Sequence, residues 1–491
     1  MVPHMEVTYR EMTSFEKKRR GGLSLQFAER KLLLVVIDLL ILNGALFWML
    51  SLWPKPVFAR LVERFPWYAL LLSVIWLVVS AFFNVYDLAK AASAPHAIWG
   101  VGASAFITQT IYILIPYLTP VLPDRRTQII IFFMAGISGL AAWRFFYAAV
   151  FTHPSFHHRA LVIGAGWSGK TLVEAIQETA SETGNPYLGT GYELLGFVDD
   201  DPAKQEQEID GVPVLGAGKD LIGLVQELNP DEIIIAITHS QRINPDLFHA
   251  ILACYETGIP ITTMATLYER MTGRVPIQHA GQDLTVLLPI SRPSGFRFYL
   301  AVRRLLDILI ALPGLFIVGL LTPVVWLGNQ LTDPGDMFYR QQRTGKGGKV
   351  FEIVKFRSMV MDAEKETGAV WAQEEDPRVT PMGKFLRRTR LDETPQFWNV
   401  LKGEMTLIGP RPERPEIIAR LSEEIPFYDL RHAVKPGITG WAQVRYRYGA
   451  SKRDSFVKLQ YDLYYIKHLG PFIDFSVLIK TIQVILGMKG R

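Results

Sequence analysis

Apolar residues occur along this chain in long runs near its N-terminus and in shorter runs after residue 155. Each of the first four long runs has the ~20 residues that an α-helix needs to cross a bilayer. They cover residues 32–53, 67–86, 97–118 and 127–151. Pro, Gly, Trp and Tyr cluster at their ends, as is typical of anchors at a membrane interface. The pattern predicts four transmembrane helices within residues 32–153.

Residues 1–31 are polar and are predicted to form a cytoplasmic leader, because basic residues before the first membrane helix favour the inside. Four crossings then return the chain to the cytoplasm. Asp38 and Arg144 are ionisable residues within the apolar runs, which is normally a functional indication. Both lie near predicted cytoplasmic ends, where a long side chain can reach the interface. A structural role is therefore expected for both.

Residues 154–290 alternate between short apolar strands and helical patterns, which predicts a Rossmann-like α/β domain. Gly164, Gly166 and Gly169 follow the first strand in the G-x-G-x-x-G pattern, where helix N–H groups can bind a phosphate. The acidic residue expected about 20 positions later is missing. The next strand-end acids, Asp199 to Asp201, are typical of a turn before Pro202. A regulatory or structural role is favoured, and nucleotide binding by the three glycines stays open.

A fifth apolar run, residues 305–327, has basic residues on both flanks, which favours placing both of its ends in the cytoplasm. Pro323 can interrupt a helix, and the Thr322 hydroxyl can bind a freed backbone group. We therefore predict a re-entrant helix over about 300–330 that turns at Thr322 and Pro323. A plain fifth span is the alternative.

The predicted fold class is thus a membrane α plus α/β protein with a leader (1–31), a four-helix region (32–153) and a Rossmann-like domain (154–290). Residues 291–491 are expected to form an α/β catalytic domain that contains the re-entrant helix. Within it, a helix and loop are predicted over 361–375. The last apolar helix is expected either at the membrane interface or in the core.

Amino-acid composition and net charge indicate some classes of partner and exclude some kinds of site. Hydrophobic residues make up 49% of 491 residues and the net charge is +5, which suits an anionic membrane surface or acidic substrates. The single cysteine, Cys254, excludes an internal disulfide or a cysteine-based metal site. No nucleic-acid partner is expected.

The strongest chemical signal lies in residues 377–416. Five basic residues and no acidic one occur from Arg378 to Arg390, and Asp392 and Glu393 then stand side by side. Arginines hold phosphate oxygens in fixed geometry, whereas a carboxylate can act as a nucleophile or bind Mg²⁺. A basic helix that ends in an exposed turn is the alternative for this stretch alone.

Four motifs together resemble the bacterial sugar transferases, specifically the large monotopic phosphoglycosyl transferases that act on polyprenyl phosphate in exopolysaccharide and O-antigen synthesis. The motifs are DILIALPG…LTP, FEIVKFRSM, RRTRLDETPQFWNVLKGEMTLIGPRPERPE and KPGITGWAQV. Three positions depart from the usual family pattern. Thr322 replaces the usual Ser, Thr394 replaces the Leu that usually follows the adjacent pair Asp392 and Glu393 (the dyad), and Glu404 replaces Asp.

The resemblance implies transfer of a hexose-1-phosphate from a UDP-sugar to undecaprenyl phosphate at the bacterial inner membrane, with the catalytic domain on the cytoplasmic face. Asp392 would attack the β-phosphorus, expel UMP and form a phosphosugar–aspartyl intermediate. Glu393 would help to hold Mg²⁺ or orient the dyad. Further substrate contacts are implied at Lys355, Arg357, Arg387, Arg411, Gln443 and Asp462. Glucose or galactose is the expected sugar, and a homodimer is the expected assembly.

Three other classes remain as alternatives. A nucleotide-sugar dehydratase or oxidoreductase would need a catalytic Tyr/Lys pair, and residues 154–290 contain no Tyr-x-x-x-Lys. A non-catalytic scaffold for polysaccharide export would not need the dyad. A conventional glycosyltransferase would release UDP in place of UMP.

Overall fold

The computed structural model describes residues 27–91, 94–121, 123, 125–151, 158–181, 192–237, 244–281, 284–289, 294–361, 363, 376–446, 449 and 451–485. The chain forms two compact units, Met1–Thr272 and Gly273–Arg491. Most of the predicted leader, and the helix and loop expected over 361–375 except for residues 361 and 363, lie outside the described residues.

The first unit begins with helices that match the four long apolar runs, and each is long and apolar enough to cross a membrane. They are α1 (Phe27–Ser51), α3 (Phe65–Phe82), α5 (Ala94–Leu114) and α6 (Arg126–Phe151), with the short α2 (Lys55–Glu63) and α4 (Leu88–Ala91) between them. Leu42, Trp76 and Phe132 are buried where these helices meet, whereas many other apolar side chains face outward. These outward faces are typical of a membrane protein.

Asp38 and Arg144 bind each other, which agrees with the structural role expected for both, although they form a mutual ion pair and do not each reach the interface. A 2.6 Å ion pair joins the Asp38 carboxylate on α1 to the Arg144 guanidinium on α6, and both side chains are fully buried. A charge inside an apolar region is stabilised by an opposite charge in contact. The pair therefore links the first and the last of the four long helices.

A six-stranded sheet in the order β3-β4-β2-β1-β5-β6 follows. Its members are β1 (His158–Ile163), β2 (Tyr192–Val198), β3 (Glu208–Ile209), β4 (Val212–Gly216), β5 (Glu232–Ile235) and β6 (Ile261–Thr263), with helices α7 (Trp167–Ser181), α8 (Leu221–Leu228), α9 (Pro245–Glu256) and α10 (Met264–Thr272). The pairings are parallel except for β3 with β4. Successive residues of β1 enter two separate cores, one per sheet face, which confirms the Rossmann-like domain.

The glycine turn after β1 has the geometry that its sequence predicts. Gly164 has φ of +104°, and a Cβ added to Gly169 would lie 2.3 Å from the Gly164 carbonyl oxygen. Asp199, at the end of the adjacent β2, accepts a 2.7 Å hydrogen bond from the Ala165 N–H in this turn. Asp199 is thus close to the glycine turn in the fold, although no acid occurs at the expected distance in the sequence. Its carboxylate binds the turn itself. Nucleotide binding by Gly164, Gly166 and Gly169 stays a prediction.

The second unit contains the remaining elements. They are α11 (Leu284–Leu287), α12 (Phe296–Thr332), β7 (Phe338–Thr344), β8 (Val350–Phe356), α13 (Pro381–Thr389), α14 (Phe397–Lys402), β9 (Thr406–Ile408), α15 (Pro415–Glu424), β10 (Gly437–Thr439), α16 (Trp441–Arg445), α17 (Lys452–Lys467) and α18 (Pro471–Ile485). β7 and β8 form an antiparallel hairpin, whereas β9 and β10 are parallel. Residues of 273–289 pack into this unit; for example, the Trp441 indole donates to the Gly273 carbonyl. The predicted domain boundary lay later, at residue 290.

Helix α12 contacts the rest of its unit along one face over most of its length. Its buried residues recur at helical spacing and are Asp307, Ala311, Gly314, Val318, Val325 and Asn329. Leu309, Phe316 and Leu320 on the other side are exposed. The helix continues without interruption through Thr322 and Pro323, and the Thr322 hydroxyl donates to the Val318 carbonyl at 2.8 Å. A re-entrant path therefore stays a prediction, without a break in the helix at these residues.

Two arginines at the start of α12 bind protein groups. The Arg304 guanidinium donates to the carbonyls of Val400 and Leu401, at 2.6 and 2.8 Å. Arg303 donates to the Ile408 carbonyl. Because these guanidinium groups are engaged within the unit, they are weaker indicators of membrane orientation than the sequence suggested.

Candidate active site

The dyad lies on a short 3₁₀ helix, Leu391–Gln396, that follows α13. Arg390 ends α13 with φ of +60°, and this left-handed residue turns the chain into the 3₁₀ helix. Strand β8 packs beside that helix and contributes Lys355. The sequence places these groups well apart, and the fold brings them to one site.

Glu393 is held by two cations. Its Oε1 atom accepts from Lys355 Nζ at 2.7 Å and from Arg411 Nη2 at 2.6 Å. Burial opposes ionisation of Glu393, but the charges of Arg411 and Lys355 outweigh it and hold the pKa of Glu393 well below its usual value. Glu393 is therefore an anion that fixes the positions of both cations.

Asp392 has a different environment. Its carboxylate forms no hydrogen bond or ion pair with the described residues, although it is partly buried. Burial and the adjacent Glu393 raise its pKa, while the charges of Lys355, Arg387 and Arg411 oppose that rise. An unpaired carboxylate among cations is suited to attack a phosphorus centre whose charge those cations neutralise.

Arg387 belongs to the same site. It lies on α13, and its Nε donates to the Ser358 hydroxyl at 2.9 Å. Its charge acts on Asp392. The structure thus brings together five residues predicted from the sequence: Lys355, Arg387, Asp392, Glu393 and Arg411.

Arg357 and Gln443 are engaged elsewhere. The Arg357 guanidinium is buried and binds Asp333 and the Asp336 carbonyl, which ties the end of α12 to the end of β8. Gln443 on α16 donates to the Ile438 carbonyl at 3.2 Å. Substrate contacts by these two residues stay predictions.

Asp462 is deeply buried and binds a residue that sequence reasoning missed. The Asp462 carboxylate accepts from Arg431 Nη2 at 2.9 Å, and burial raises the pKa of Asp462 to about 6, partly offset by Arg431. Arg431 also donates to the Arg411 carbonyl at 2.9 Å. No pattern in the sequence links these residues, because they lie in three separate segments of the chain.

The dyad offers two adjacent carboxylates to a metal ion, and the described residues contain no group of three or more His, Cys, Asp or Glu side chains placed to bind one. Mg²⁺ commonly takes one or two carboxylates and completes its shell with water and substrate phosphates. Asp392 and Glu393 fit that pattern, although Glu393 already binds two cations. They are the residues that would hold Mg²⁺, which would neutralise charge on a bound diphosphate.

Comparison with known proteins identifies the family. The model of the bacterial sugar transferase family matches residues 298–488. A UDP-galactose-lipid carrier transferase of Erwinia amylovora is 31% identical over 360 residues, which are 68% of this chain and 69% of that protein. The chain belongs to the bacterial sugar transferase family. The resemblance inferred from the motifs is thereby confirmed.

Other relatives align with parts of this bacterial sugar transferase. An Aeromonas hydrophila UDP-N-acetylgalactosamine-undecaprenyl-phosphate N-acetylgalactosaminephosphotransferase is 44% identical over 237 residues, 48% of this chain and 54% of that protein. A UDP-glucose:undecaprenyl-phosphate glucose-1-phosphate transferase of Xanthomonas campestris pv. campestris is 38% identical over 194 residues, 39% of this chain and 40% of that protein. The aligned region is thus about half, or less, of these two relatives.

A second family model, that of a CoA-binding domain, matches residues 81–245 of the transferase. Most of the sheet of the first unit lies within this match, which agrees with a Rossmann-like fold.

Proposed function

We propose that this protein transfers a sugar-1-phosphate from a UDP-sugar to undecaprenyl phosphate, as the first membrane step of exopolysaccharide, O-antigen or capsule synthesis. The names of its relatives include this type of activity with glucose, galactose and N-acetylgalactosamine. The observation that carries the proposal is the contrast within the dyad. Glu393 is neutralised by Lys355 and Arg411, whereas Asp392 stands unpaired beside the same cations.

In the first half-reaction, an Asp392 carboxylate oxygen attacks the β-phosphorus of the UDP-sugar. A bond forms between that oxygen and phosphorus, the bond from phosphorus to the bridging oxygen breaks, and UMP leaves with the electron pair. Lys355, Arg387 and Arg411 stabilise the charge on the phosphate oxygens. The sugar-1-phosphate is then bound to Asp392 as an acyl phosphate.

In the second half-reaction, a phosphate oxygen of undecaprenyl phosphate attacks the same phosphorus. The bond from phosphorus to Asp392 breaks, the carboxylate is restored, and the product is an undecaprenyl diphosphate sugar. Two half-reactions that share one nucleophile give ping-pong kinetics. Mg²⁺ is part of the proposal, with Asp392 and Glu393 as its ligands.

We also propose how the enzyme is arranged in the membrane. Four transmembrane helices and a re-entrant α12 would keep both ends of α12, and the catalytic unit, on the cytoplasmic side of the inner membrane. The soluble donor and the lipid phosphate would then meet at the interface. A homodimer is a further part of this proposal, as is glucose or galactose as the preferred donor sugar. The Rossmann-like domain would have a regulatory or structural role, and nucleotide binding at the glycine turn after β1 stays open.

The test measures which nucleotide the purified full-length protein releases. The reaction contains undecaprenyl phosphate, Mg²⁺ and one of a panel of UDP-sugars that includes UDP-N-acetylgalactosamine. We expect UMP with one or a few donors, and a loss of at least ~10³-fold in Asp392→Asn, which keeps the shape but cannot act as the nucleophile. Release of UDP would assign the chemistry to a conventional glycosyltransferase. Release of neither nucleotide would argue against catalysis on these donors.

A further inference from the structure

The segment Gly409–Pro410–Arg411–Pro412–Glu413 carries one of the two cations that hold Glu393. Proline has no backbone N–H, so the two prolines that flank Arg411 cannot be fixed by donating hydrogen bonds. The segment lies between β9 and α15, outside regular structure. Its position therefore depends largely on groups that donate to its carbonyl oxygens.

Four successive carbonyls of this segment accept a hydrogen bond. Backbone N–H groups reach two of them: Gly437 donates to Pro410 at 2.9 Å, and Thr344 donates to Glu413 at 3.0 Å.

Arginine side chains reach the two central carbonyls. Arg431 Nη2 donates to the Arg411 carbonyl at 2.9 Å, and Arg343 Nη1 donates to the Pro412 carbonyl at 3.1 Å. Two mostly buried guanidinium groups thus hold the centre of the segment.

Arg431 is itself fixed on several sides. It is 6% exposed, and its Nη1 donates to the Tyr428 hydroxyl at 2.6 Å. Its Nη2 binds Asp462, which is 2% exposed. Removing a guanidinium from water is costly unless an opposite charge and hydrogen bonds compensate it. Asp462 supplies that charge, so the pair can remain ionised behind the site.

We propose that Arg431, held by Asp462, is a positioning residue for Arg411. By fixing the Arg411 carbonyl, it sets where the Arg411 guanidinium meets Glu393 and the substrate diphosphate. Asp462 then acts through Arg431 and does not contact substrate itself. The inference rests on the proposed function, because it assigns the diphosphate to Arg411.

Small displacements matter at such a site. A misplacement of about 1 Å in a catalytic group can cost ~10²-fold in rate. Lysine at position 431 would keep a charge, but it lacks the planar fork that donates to Asp462, Tyr428 and the Arg411 carbonyl together. We therefore expect Arg431→Lys to weaken the hydrogen bond to the Arg411 carbonyl.

A double-mutant cycle tests this directly, since residues that act through one another show non-additive effects. UMP release and UDP affinity by calorimetry are measured for wild type, Arg431→Lys, Arg411→Ala and the double variant. We expect Arg431→Lys to cost ~10- to 100-fold in UMP release with native Arg411. In the Arg411→Ala background the same change should cost less than about 3-fold, because the group being positioned is absent.

The matched control is Asp376→Asn, which breaks another buried ion pair in the same unit, Arg378 with Asp376 at 2.6 Å. Its effect should be equal in both Arg411 backgrounds.

Asp462→Asn replaces Arg431→Lys if melting curves show that the latter does not fold. Equal losses from Arg431→Lys in both backgrounds would overturn the positioning role. A wild-type protein that binds UDP but releases no UMP would contradict only the proposed function, because the cycle in UDP affinity still decides the role of Arg431.

Discussion

Lys355 and Arg357 are two residues apart at the end of β8, but their side chains have different environments. Lys355 faces the dyad and binds Glu393, whereas the Arg357 guanidinium is engaged by Asp333 and the Asp336 carbonyl. We expect Lys355→Ala to lower UMP release by ~10²-fold or more, because a phosphate-binding charge is lost, and to lower the melting temperature less than Arg357→Ala does, because Arg411 still binds Glu393. Arg357→Ala should instead lower the melting temperature, because buried acceptors lose their donor.

Purified variants compared by thermal unfolding and by UMP release per folded protein provide the measurement. Arg340→Ala is the control, because Arg340 lies on the hairpin in an exposed pair with Glu352 and such pairs contribute little. Loss of UDP affinity in Arg357→Ala without loss of stability would restore the sequence-based assignment of Arg357 as a substrate contact.

Burial of Asp462 predicts a pH dependence of stability. Its folded pKa of about 6 lies above the ordinary value of 3.8. The folded state therefore binds this proton more tightly, and the resulting stabilisation is present below pH 3.8 and is lost as pH rises through 6. The full difference is on the order of 3 kcal/mol. Asp462→Asn cannot titrate, so the melting temperature of wild type minus that of Asp462→Asn should increase from pH 7.5 to pH 4.5. A difference that stays constant would show that the folded pKa is not raised.

At the residue scale, the sequence alone was sufficient to predict the site residues that belong to a recognisable motif. The dyad, Arg387 and Arg411 lie within one stretch, and Lys355 lies in a second recognisable motif. Arg343 and Arg431 could not be found, because each binds a carbonyl far away in the chain. No periodicity or composition records such a pairing.

At the scale of the single element, α12 illustrates how glycine positions determine packing. A Cβ added to Gly314 would lie 2.5 Å from the Phe397 ring on α14, whereas a Cβ added to Gly319 has no atom within 4 Å. Gly314→Leu should separate α12 from α14, which follows the dyad helix, and overpacking of this kind costs ~1–3 kcal/mol.

The matched variant Gly319→Leu places the same side chain on the exposed face of the same helix. We expect Gly314→Leu to lower both the melting temperature and UMP release, and Gly319→Leu to leave both near wild type. Equal effects of the two variants would mean that helix composition, and not the contact with Phe397, determines the outcome.

The long helices and the alternating sheet were predictable because their patterns are strong. Four runs of about 20 apolar residues each became helices, and the strands after residue 155 formed a mostly parallel sheet. The course of α12 was less predictable. Pro323 suggested a break, but the helix continues, with its buried face packed on both sides of that proline at Val318 and Val325. Tertiary packing can outweigh a local helix breaker.

At the scale of the whole molecule, α12 predicts which side of the membrane its two ends occupy. Its contacts with the catalytic unit extend from Arg304 to Asn329. A plain span would carry the packed unit into the bilayer, where exposed polar groups are costly. Both ends of α12 should therefore lie on the same side.

Single cysteines in a Cys254→Ser background test this with a membrane-impermeant maleimide on intact cells and on inverted vesicles. Ser294→Cys and Lys349→Cys flank α12 at exposed positions, and both should react only in inverted vesicles. Val121→Cys, between α5 and α6, is the control that should react in intact cells. Labelling of Ser294→Cys and Lys349→Cys from opposite sides would falsify the re-entrant path and establish a fifth span.

The buried pair of Asp38 and Arg144 also constrains how the membrane region can be synthesised. The two residues are 106 positions apart, so the ribosome completes α1 long before α6 exists. Until then, the Asp38 carboxylate lacks the guanidinium that compensates its charge, and an uncompensated buried charge costs about 3–5 kcal/mol. In a fragment that stops before α6, Asp38 must remain an uncompensated charge or bind a proton. We therefore expect the four long helices to be more stable in the bilayer as a complete set than as a fragment that ends before α6.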